Sequence, residues 1–218
     1  MSARARAGVL ISGRGSNLQA LIDACATADF PAQIACVISN VPDVEGLKRA
    51  DRARIPSRVL IHRSFGSREQ FDDAVSAVLQ EFDVDVVCLA GFMRVLSDRF
   101  VEAWRGRLIN IHPSLLPAFK GVEVHRRVLE SGVRVSGCSV HFVVPELDSG
   151  PIIAQAAVPV LPQDDEAALA ARVLAAEHRL YPLALRLVVE NAVRLEGERA
   201  QFDGNFEGES SLFCPPLR

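Results

Sequence analysis

With 218 residues, of which 49% are apolar and 23% charged, the chain has the composition of an ordinary globular protein and the length to bury a sizeable core. The formal net charge of −3 argues against nucleic acid as the main partner, because a phosphate backbone requires a basic surface. No apolar run approaches the ~20 residues of a membrane span. The five cysteines are scattered and form no C-x-x-C pair, so we expect a cytoplasmic protein with no metal site.

Short apolar runs alternate with stretches of helical periodicity through the first half of the chain. This alternation favours right-handed crossovers and a mainly parallel sheet flanked by helices, which is a Rossmann-like α/β fold. Ligands of such sheets bind at the carboxyl ends of the strands. The predicted strands lie at 7–12, 33–39, 57–61, 85–91 and 107–112, and the predicted helices at 16–28, 44–54 and 67–82.

The second half of the chain has a different pattern. Two β runs at 137–144 and 151–160 are joined by the turn-forming segment PELDSG, which predicts antiparallel strands added to the sheet. Residues 164–191 predict one long helix with an acidic start, as the helix dipole favours. Because neither a linker nor a repeat is visible, we predict a single domain over 1–204 and a loosely ordered tail over 205–218.

The first predicted strand ends in the glycine turn SGRGSN, directly before a helix. Two glycines fit the start of a dinucleotide fingerprint, but Leu18 takes the place of the third and no acid ends the second strand. A nicotinamide-dependent oxidoreductase is therefore disfavoured. The turn either holds a single phosphate on Gly15, Ser16 and Asn17 at a helix N-terminus, or is a capped strand–helix turn without a ligand.

Polar residues also follow two later strands. Asn110 and His112 stand two apart at a strand end, so both side chains lie on one face, where an amide and an imidazolium can stabilise one oxyanion. Asp148 lies in a turn and is either a structural turn residue or a carboxylate that keeps His112 protonated. His141, on the preceding strand, is either a further polar group of the site or a plain strand residue.

Seven sequence blocks occur in one fixed order between about residues 8 and 182: VLISGRGSNLQALIDA, ISN, FGSRE, DVVCLAGFMRVLS, RLINIHPSLLPAFKG, GCSVHFVVPELDSGPIIAQAAVPV and EHRLYP. Together they resemble the glycinamide ribonucleotide formyltransferases, the folate-dependent family of purine synthesis. The resemblance implies the formyltransferase fold. It also implies transfer of a formyl group from 10-formyltetrahydrofolate, as co-substrate, to the amine of glycinamide ribonucleotide without a metal.

The resemblance implies catalytic roles for three residues. The amine attacks the formyl carbon, and Asn110 and His112 hold the oxyanion that forms. His112 supplies the acid beside that oxygen. Asp148 keeps the His112 imidazole protonated and orders water for proton transfer. These roles are carried over from the family onto the matching positions of this chain.

The resemblance also distributes the two substrates over the site. The ribonucleotide phosphate is expected on Gly15, Ser16 and Asn17, with its ribose near Glu177. Relatives often carry an acid at the position of Pro145, whose ring removes one loop amide. The implied folate-binding residues are Arg68, Met93, Arg94, Val95, Leu96, Asn110, Val144, Pro145, Glu146, Leu147 and Asp148.

Three other functions remain to be weighed. A methionyl-tRNA formyltransferase requires a further domain and a basic surface for tRNA. The 218 residues and the net charge of −3 argue against both. A formyltetrahydrofolate hydrolase shares the catalytic trio but needs no phosphate loop. A non-catalytic mononucleotide-binding module explains the loop and the sheet but not three polar groups at one sheet edge. The sequence leaves a monomer and a homodimer equally open.

Overall fold

The structure, a computed structural model, describes residues 3–204 and residue 214, and a seven-stranded sheet forms its centre. The strands are β1 (Ala5–Ile11), β2 (Ala32–Ser39), β3 (Ser57–Val59), β4 (Val86–Leu89), β5 (Leu108–His112), β6 (Val135–Phe142) and β7 (Ile152–Pro159), and a separate hairpin contains β8 (Val193–Glu196) and β9 (Arg199–Phe202). The helices are α1 (Ser16–Cys25), α2 (Glu45–Arg52), α3 (Arg68–Glu81), α4 (Asp98–Ala103), α5 (Val124–Ser131) and α6 (Glu166–Val189), with a 3-10 turn at His62–Ser64.

The strand order of the sheet is β3-β2-β1-β4-β5-β6-β7. The first five strands in this order pair in parallel, whereas β6 pairs antiparallel with both β5 and β7. From β1 the chain moves outward to β2 and β3 and then returns to β4 on the other side of β1. The carboxyl ends of β1 and β4 therefore flank a topological switch point, where sheets of this class bind their ligands.

The parallel strands are apolar because helices cover both of their faces. Val9, Leu10 and Ile11 of β1 have no exposed surface, and all four residues of β4 are buried. A continuous apolar run is what a strand buried on two faces requires, since neither face meets water. The sequence run at 7–12 shows this pattern directly.

Helix α6 crosses the sheet and connects it to the C-terminal hairpin. Its first turn is capped by Asp165, whose side chain accepts a hydrogen bond from the Ala168 amide. Farther along, the buried Tyr181 hydroxyl lies 2.9 Å from the Leu89 carbonyl oxygen and 3.2 Å from that of Ile109, so α6 is bonded to β4 and β5. Although α6 has 24 residues, neither it nor any other described helix has both the length and the apolarity to cross a membrane.

The predicted mixed α/β sheet is confirmed, with its parallel part and its added antiparallel strands. The third strand ends at Val59 rather than at residue 61, and the first helix ends at Cys25 rather than at residue 28. The sequence analysis missed α4, α5 and the β8–β9 hairpin, because these elements have only four to eight residues each. The single-domain assignment stays a prediction, and the predicted tail lies outside the described residues except for Cys214.

We expect Tyr181→Phe to lower the free energy of unfolding by about 1 kcal/mol, the usual net value of a buried hydrogen bond. The ring and its packing are kept, and only the donor to the two strand carbonyls is lost. Burial raises the pKa of Tyr181 well above its usual value, so the hydroxyl remains a donor at neutral pH. Urea unfolding of both proteins measures the difference. Equal stabilities would show that this hydrogen bond contributes nothing net.

Candidate active site

The polar site begins with the register between β5 and β6. In this antiparallel pair Asn110 lies opposite His141, and His112 lies opposite Ser139. Asn110 and His112 are two residues apart in one strand, so their side chains lie on the same face of the sheet. His112 is only 6% exposed, and Asn110 is half-buried. The strand pairing thus brings an amide and two imidazoles to one sheet edge.

His141 fixes the orientation of the Asn110 amide. Its Nδ1 lies 2.8 Å from its neighbour's carbonyl oxygen, on Phe142, and therefore donates a proton there. Its Nε2 lies 3.2 Å from Asn110 Nδ2, which is a donor, so Nε2 accepts. Burial lowers the pKa of His141, which favours the neutral ring with one donor and one acceptor. The NH₂ group of Asn110 is consequently held toward β6 in a defined rotamer.

Asp148 joins the site from the turn between β6 and β7. Its Oδ2 lies 3.4 Å from His112 Nδ1 and accepts a hydrogen bond of 2.8 Å from the Gly121 amide. Its Oδ1 lies 3.9 Å from His141 Nε2. Asp148 is 9% exposed, so its charge interacts with His112 in an environment that water screens poorly. Asn110, His141, His112 and Asp148 therefore form one connected polar cluster.

The loop after β5 closes over this cluster. His112 Nε2 lies 3.0 Å from the carbonyl oxygen of Phe119, and the Gly121 amide is bound by Asp148. Phe119 has φ 55° and Gly121 has φ 80°, so two left-handed residues turn these backbone groups inward. Both ring nitrogens of His112 face acceptors, one a carboxylate and one a carbonyl. Each ring nitrogen of His112 therefore has a hydrogen-bond acceptor beside it.

The glycine turn at the end of β1 leads into α1 without a side-chain cap. Gly15, the N-cap residue, has φ 67°, and no side chain accepts a hydrogen bond from the first turn. A Cβ at Gly15 would lie 2.7 Å from the Cα of Gly46, because the start of α2 packs against the turn. The Gly46 amide donates to the carbonyl of Gly13 and holds this close approach. The N–H groups at the start of α1 are thus presented to an anion at the switch point.

Asn17 and Glu177 connect the start of α1 to α6. Asn17 Nδ2 donates a hydrogen bond of 2.7 Å to Glu177 Oε2, and both residues are buried. Burial raises the pKa of the Glu177 carboxyl, although the bond from Asn17 acts in the opposite direction. Asn17 Oδ1 is buried and has no hydrogen-bond partner among the described residues. Asn17 therefore places an acceptor without a hydrogen-bond partner among the described residues beside the glycine turn, and Glu177 lies next to it.

Exposed apolar side chains surround the polar cluster. The seven exposed large hydrophobic residues of the described chain include Met93, Val95, Val122 and Leu147, which lie on the loops after β4, β5 and β6. Such a rim fits a ligand that presents apolar surface. The Met93 N–H already donates a hydrogen bond of 2.8 Å to Ser12 Oγ and is not free for a ligand.

The remaining residues predicted for the folate site lie on the same loops or near them. The Arg94 guanidinium lies 5.1 Å from the centre of the Phe71 ring, and Arg68 is exposed at the first turn of α3. Among the described residues, no hydrogen bond or ion pair joins Arg68 to the cluster. The others are the buried Leu96, the half-buried Val144 and the exposed Pro145 and Glu146. No group of three or more His, Cys, Asp or Glu residues in the described part of the chain is arranged to hold a metal ion.

The cluster contains Asn110, His112 and Asp148, which the sequence predicts for the site, but sequence reasoning missed the Phe119 carbonyl and the Gly121 amide. Backbone groups carry no side-chain identity, so the only signal was the glycine in PAFKG, where a left-handed turn is easiest. The role of His141 was left open by the sequence. The strand register resolves it in favour of a polar group of the cluster.

Comparison with known proteins gives one consistent result. A formyl transferase family model matches residues 5–185. Phosphoribosylglycinamide formyltransferase from Escherichia coli K12 is 47% identical over 196 residues, which cover 90% of this chain and 92% of that protein. The human trifunctional purine biosynthetic protein adenosine-3 is 54% identical over 192 residues, 88% of this chain, and the chain spans 19% of its length. The structure of glycinamide ribonucleotide transformylase 1 from Symbiobacterium toebii superimposes with a TM-score of 0.90 at 48% identity, covering 93% of this chain and 95% of that one.

We expect the Glu177→Gln variant to gain stability relative to the unaltered protein as pH rises. Because the pKa of Glu177 is raised above its ordinary 4.5 in the folded state, its stabilising contribution is complete below that value and is lost as pH rises through the folded pKa. Urea unfolding of both proteins between about pH 4 and pH 7 measures the difference, in which the other titrating groups cancel. A difference that does not change with pH would show that the carboxyl titrates normally.

Proposed function

This chain belongs to the formyl transferase family, and from that premise we propose that it transfers the formyl group of 10-formyltetrahydrofolate to the primary amine of glycinamide ribonucleotide. One observation carries the proposal. The buried His112 and Asp148 and the half-buried Asn110 converge in one cluster at the carboxyl end of β5. This sheet edge also holds the uncapped start of α1, which suits a phosphate. A phosphate site beside a site for oxyanion stabilisation fits a phosphorylated amine as formyl acceptor.

The proposed reaction proceeds by direct attack of the amine. The nitrogen adds to the formyl carbon, and the electron pair of the carbonyl moves to its oxygen. The NH₂ group of Asn110 and the imidazolium of His112 stabilise the oxyanion by hydrogen bonding. The amine then loses a proton to water ordered by Asp148, and the folate nitrogen leaves after it gains one. Re-formation of the carbonyl gives formylglycinamide ribonucleotide and tetrahydrofolate.

His112 reaches the substrate oxygen only when its Nε2 is released from the loop after β5. In the structure that nitrogen is bonded to the Phe119 carbonyl at 3.0 Å, whereas Nδ1 faces Asp148. Displacement of the carbonyl by the formyl oxygen exchanges one acceptor for another. The Asp148 contact can persist through this exchange and keep the ring oriented.

The two substrates are placed on opposite sides of the cluster. We place the ribonucleotide phosphate on the amides at Gly15, Ser16 and Asn17 and its ribose hydroxyls at Glu177, whose carboxylate accepts hydrogen bonds. We place the folate along the loops after β4 and β6, which carry Met93, Val95 and Leu147 of the exposed apolar rim. The loop residues concerned are Met93, Arg94, Val95 and Leu96, then Val144, Pro145, Glu146, Leu147 and Asp148, with Arg68 at the outer end.

Beyond the reaction, we infer a cytoplasmic protein that acts as a monomer or a homodimer on two small substrates. Binding of nucleic acid is not expected, since the net charge is −3. Membrane association is not expected either.

The direct test follows the absorbance change as a 10-formyl folate loses its formyl group, with and without glycinamide ribonucleotide. Turnover only in the presence of the ribonucleotide supports the transferase. Turnover without it identifies a hydrolase, the second candidate, which shares the cluster but needs no phosphate loop. Absence of turnover in both assays overturns the proposal in favour of a binding module.

We expect His112→Ala and Asp148→Asn to slow formyl transfer by a factor on the order of 10² or more, the usual scale for a lost acid or oxyanion donor. The folded structure should persist, as circular dichroism and urea unfolding can verify. Steady-state kinetics at saturating concentrations of both substrates measures the loss. Near-normal turnover in both variants would remove these residues from the mechanism.

Ser16→Asp places a carboxylate at the start of α1, where we expect the phosphate. Repulsion between the two anions should raise the KM for the ribonucleotide by at least about tenfold and leave the folate KM nearly unchanged. The matched control is Ala28→Asp, which adds the same charge at an exposed position beyond the other end of α1. Equal losses of affinity for both substrates would place the phosphate elsewhere.

A further inference from the structure

Ser12 joins the glycine turn to the loop after β4. It directly follows β1, and its hydroxyl lies 2.6 Å from Asn40 Oδ1 and 2.8 Å from the backbone nitrogen of Met93. Its own amide donates to the carbonyl of Gly91 at 3.1 Å. One residue thus binds the first and third residues of the 91–93 turn. The segment that follows this turn is the one we assign to folate.

The direction of each hydrogen bond follows from chemistry. A backbone amide only donates, so the Met93 N–H points at the lone pairs of Ser12 Oγ. The Oδ1 atom of Asn40 only accepts, so the single hydroxyl proton of Ser12 points at it. The serine is therefore fully used as donor and acceptor. Removing the Asn40 oxygen would leave its hydroxyl free to rotate.

Asn40 is itself held in place. It is 4% exposed and directly follows β2, and its backbone N–H donates to the Ile11 carbonyl at 3.4 Å. Its Nδ2 lies 3.4 Å from Nδ1 of His62 in the 3-10 turn. With the NH₂ side occupied there, Oδ1 faces Ser12. The chain of contacts thus runs from β2 through β1 to the loop after β4, across the switch point of the sheet.

We propose that Ser12 and Asn40 are positioning residues that hold the folate loop in register with the ribonucleotide loop. Neither residue needs to touch a substrate. Ser12 fixes the Met93 backbone to the end of β1, and the glycine turn leaves from the same point. The Ser12 hydroxyl therefore adds a side-chain link to the backbone hydrogen bond from Ser12 to Gly91, and it fixes the Met93 end of the folate loop relative to the glycine turn. This inference rests on the proposed folate role of the 93–96 segment.

Ser12→Ala removes the acceptor for the Met93 amide. We expect the KM for the formyl folate to rise by about fivefold, the scale of one lost hydrogen bond, with less than a twofold change in the KM for the ribonucleotide. Ser12→Thr keeps the hydroxyl at a half-buried position and should restore the folate KM. The double variant Ser12→Ala/Asn40→Ala should lose no more than Ser12→Ala alone, since Asn40 acts through Ser12.

The matched control is Ser39→Ala, at the end of the neighbouring strand. Ser39 is fully buried, and its hydroxyl donates to the Val41 carbonyl at 2.6 Å, away from the Met93 loop. Losing that hydroxyl should reduce stability without moving the folate KM. A folate KM that rises equally in Ser39→Ala and Ser12→Ala would reduce Ser12 to a structural residue and overturn the proposal.

Hydrogen exchange of the Met93 amide tests the contact without any substrate. We expect protection in the unaltered protein and in Ser12→Thr, and faster exchange in Ser12→Ala. Unchanged exchange in Ser12→Ala overturns the proposed hydrogen bond. If the unaltered protein showed no formyl transfer, the proposed function would fail, and this exchange experiment would still decide whether Ser12 holds the loop. Normal turnover with an unchanged folate KM in Ser12→Ala overturns the positioning role alone.

Discussion

The pairing of β5 with β6 is the constraint on which the site depends. β5 runs parallel to β4 on one side, so its carboxyl end opens into the crevice of the switch point. On its other side β6 runs antiparallel and places His141 against Asn110. The turn after β6 then brings Asp148 back to the same edge, within 3.4 Å of His112. Because β6 ends beside Ile109, near the start of β5, this turn has to fold back along the sheet to bring its carboxylate to the edge where β5 ends.

Helix α6 supports both halves of the site from one face. Glu177 and Tyr181 are four residues apart, so their side chains lie one turn from each other. The first accepts a hydrogen bond from Asn17 at the start of α1, and the hydroxyl of the second faces the carbonyl oxygens of Leu89 at the end of β4 and of Ile109 near the start of β5. A shift of α6 would therefore disturb the start of α1 and the two strands β4 and β5 together. The helix works as a common reference for groups that are far apart in the sequence.

The sequence predicted features that depend on the identity of side chains and on the alternation of residues along a strand. Asn110 and His112 could be placed on one face because strand residues alternate, and Asp148 could be found because it lies in a turn between two β runs. The orientation of Asn110 by His141 depends on strand register, which no local pattern contains. The link from Ser12 to Asn40 and Met93 was likewise out of reach, because it exists only once β2 and β4 flank β1.

The backbone of Asp148 has φ 48°, in the left-handed region that Asp and Asn enter more readily than other residues with a side chain. At this position the residue that best keeps the charge of Asp is therefore not the residue that best fits the backbone. Asparagine removes the negative charge but fits the backbone, whereas glutamate keeps the charge but has to adopt a conformation that its longer side chain disfavours. The backbone of this turn therefore accepts Asp148→Asn, which removes the negative charge, more easily than Asp148→Glu, which keeps it.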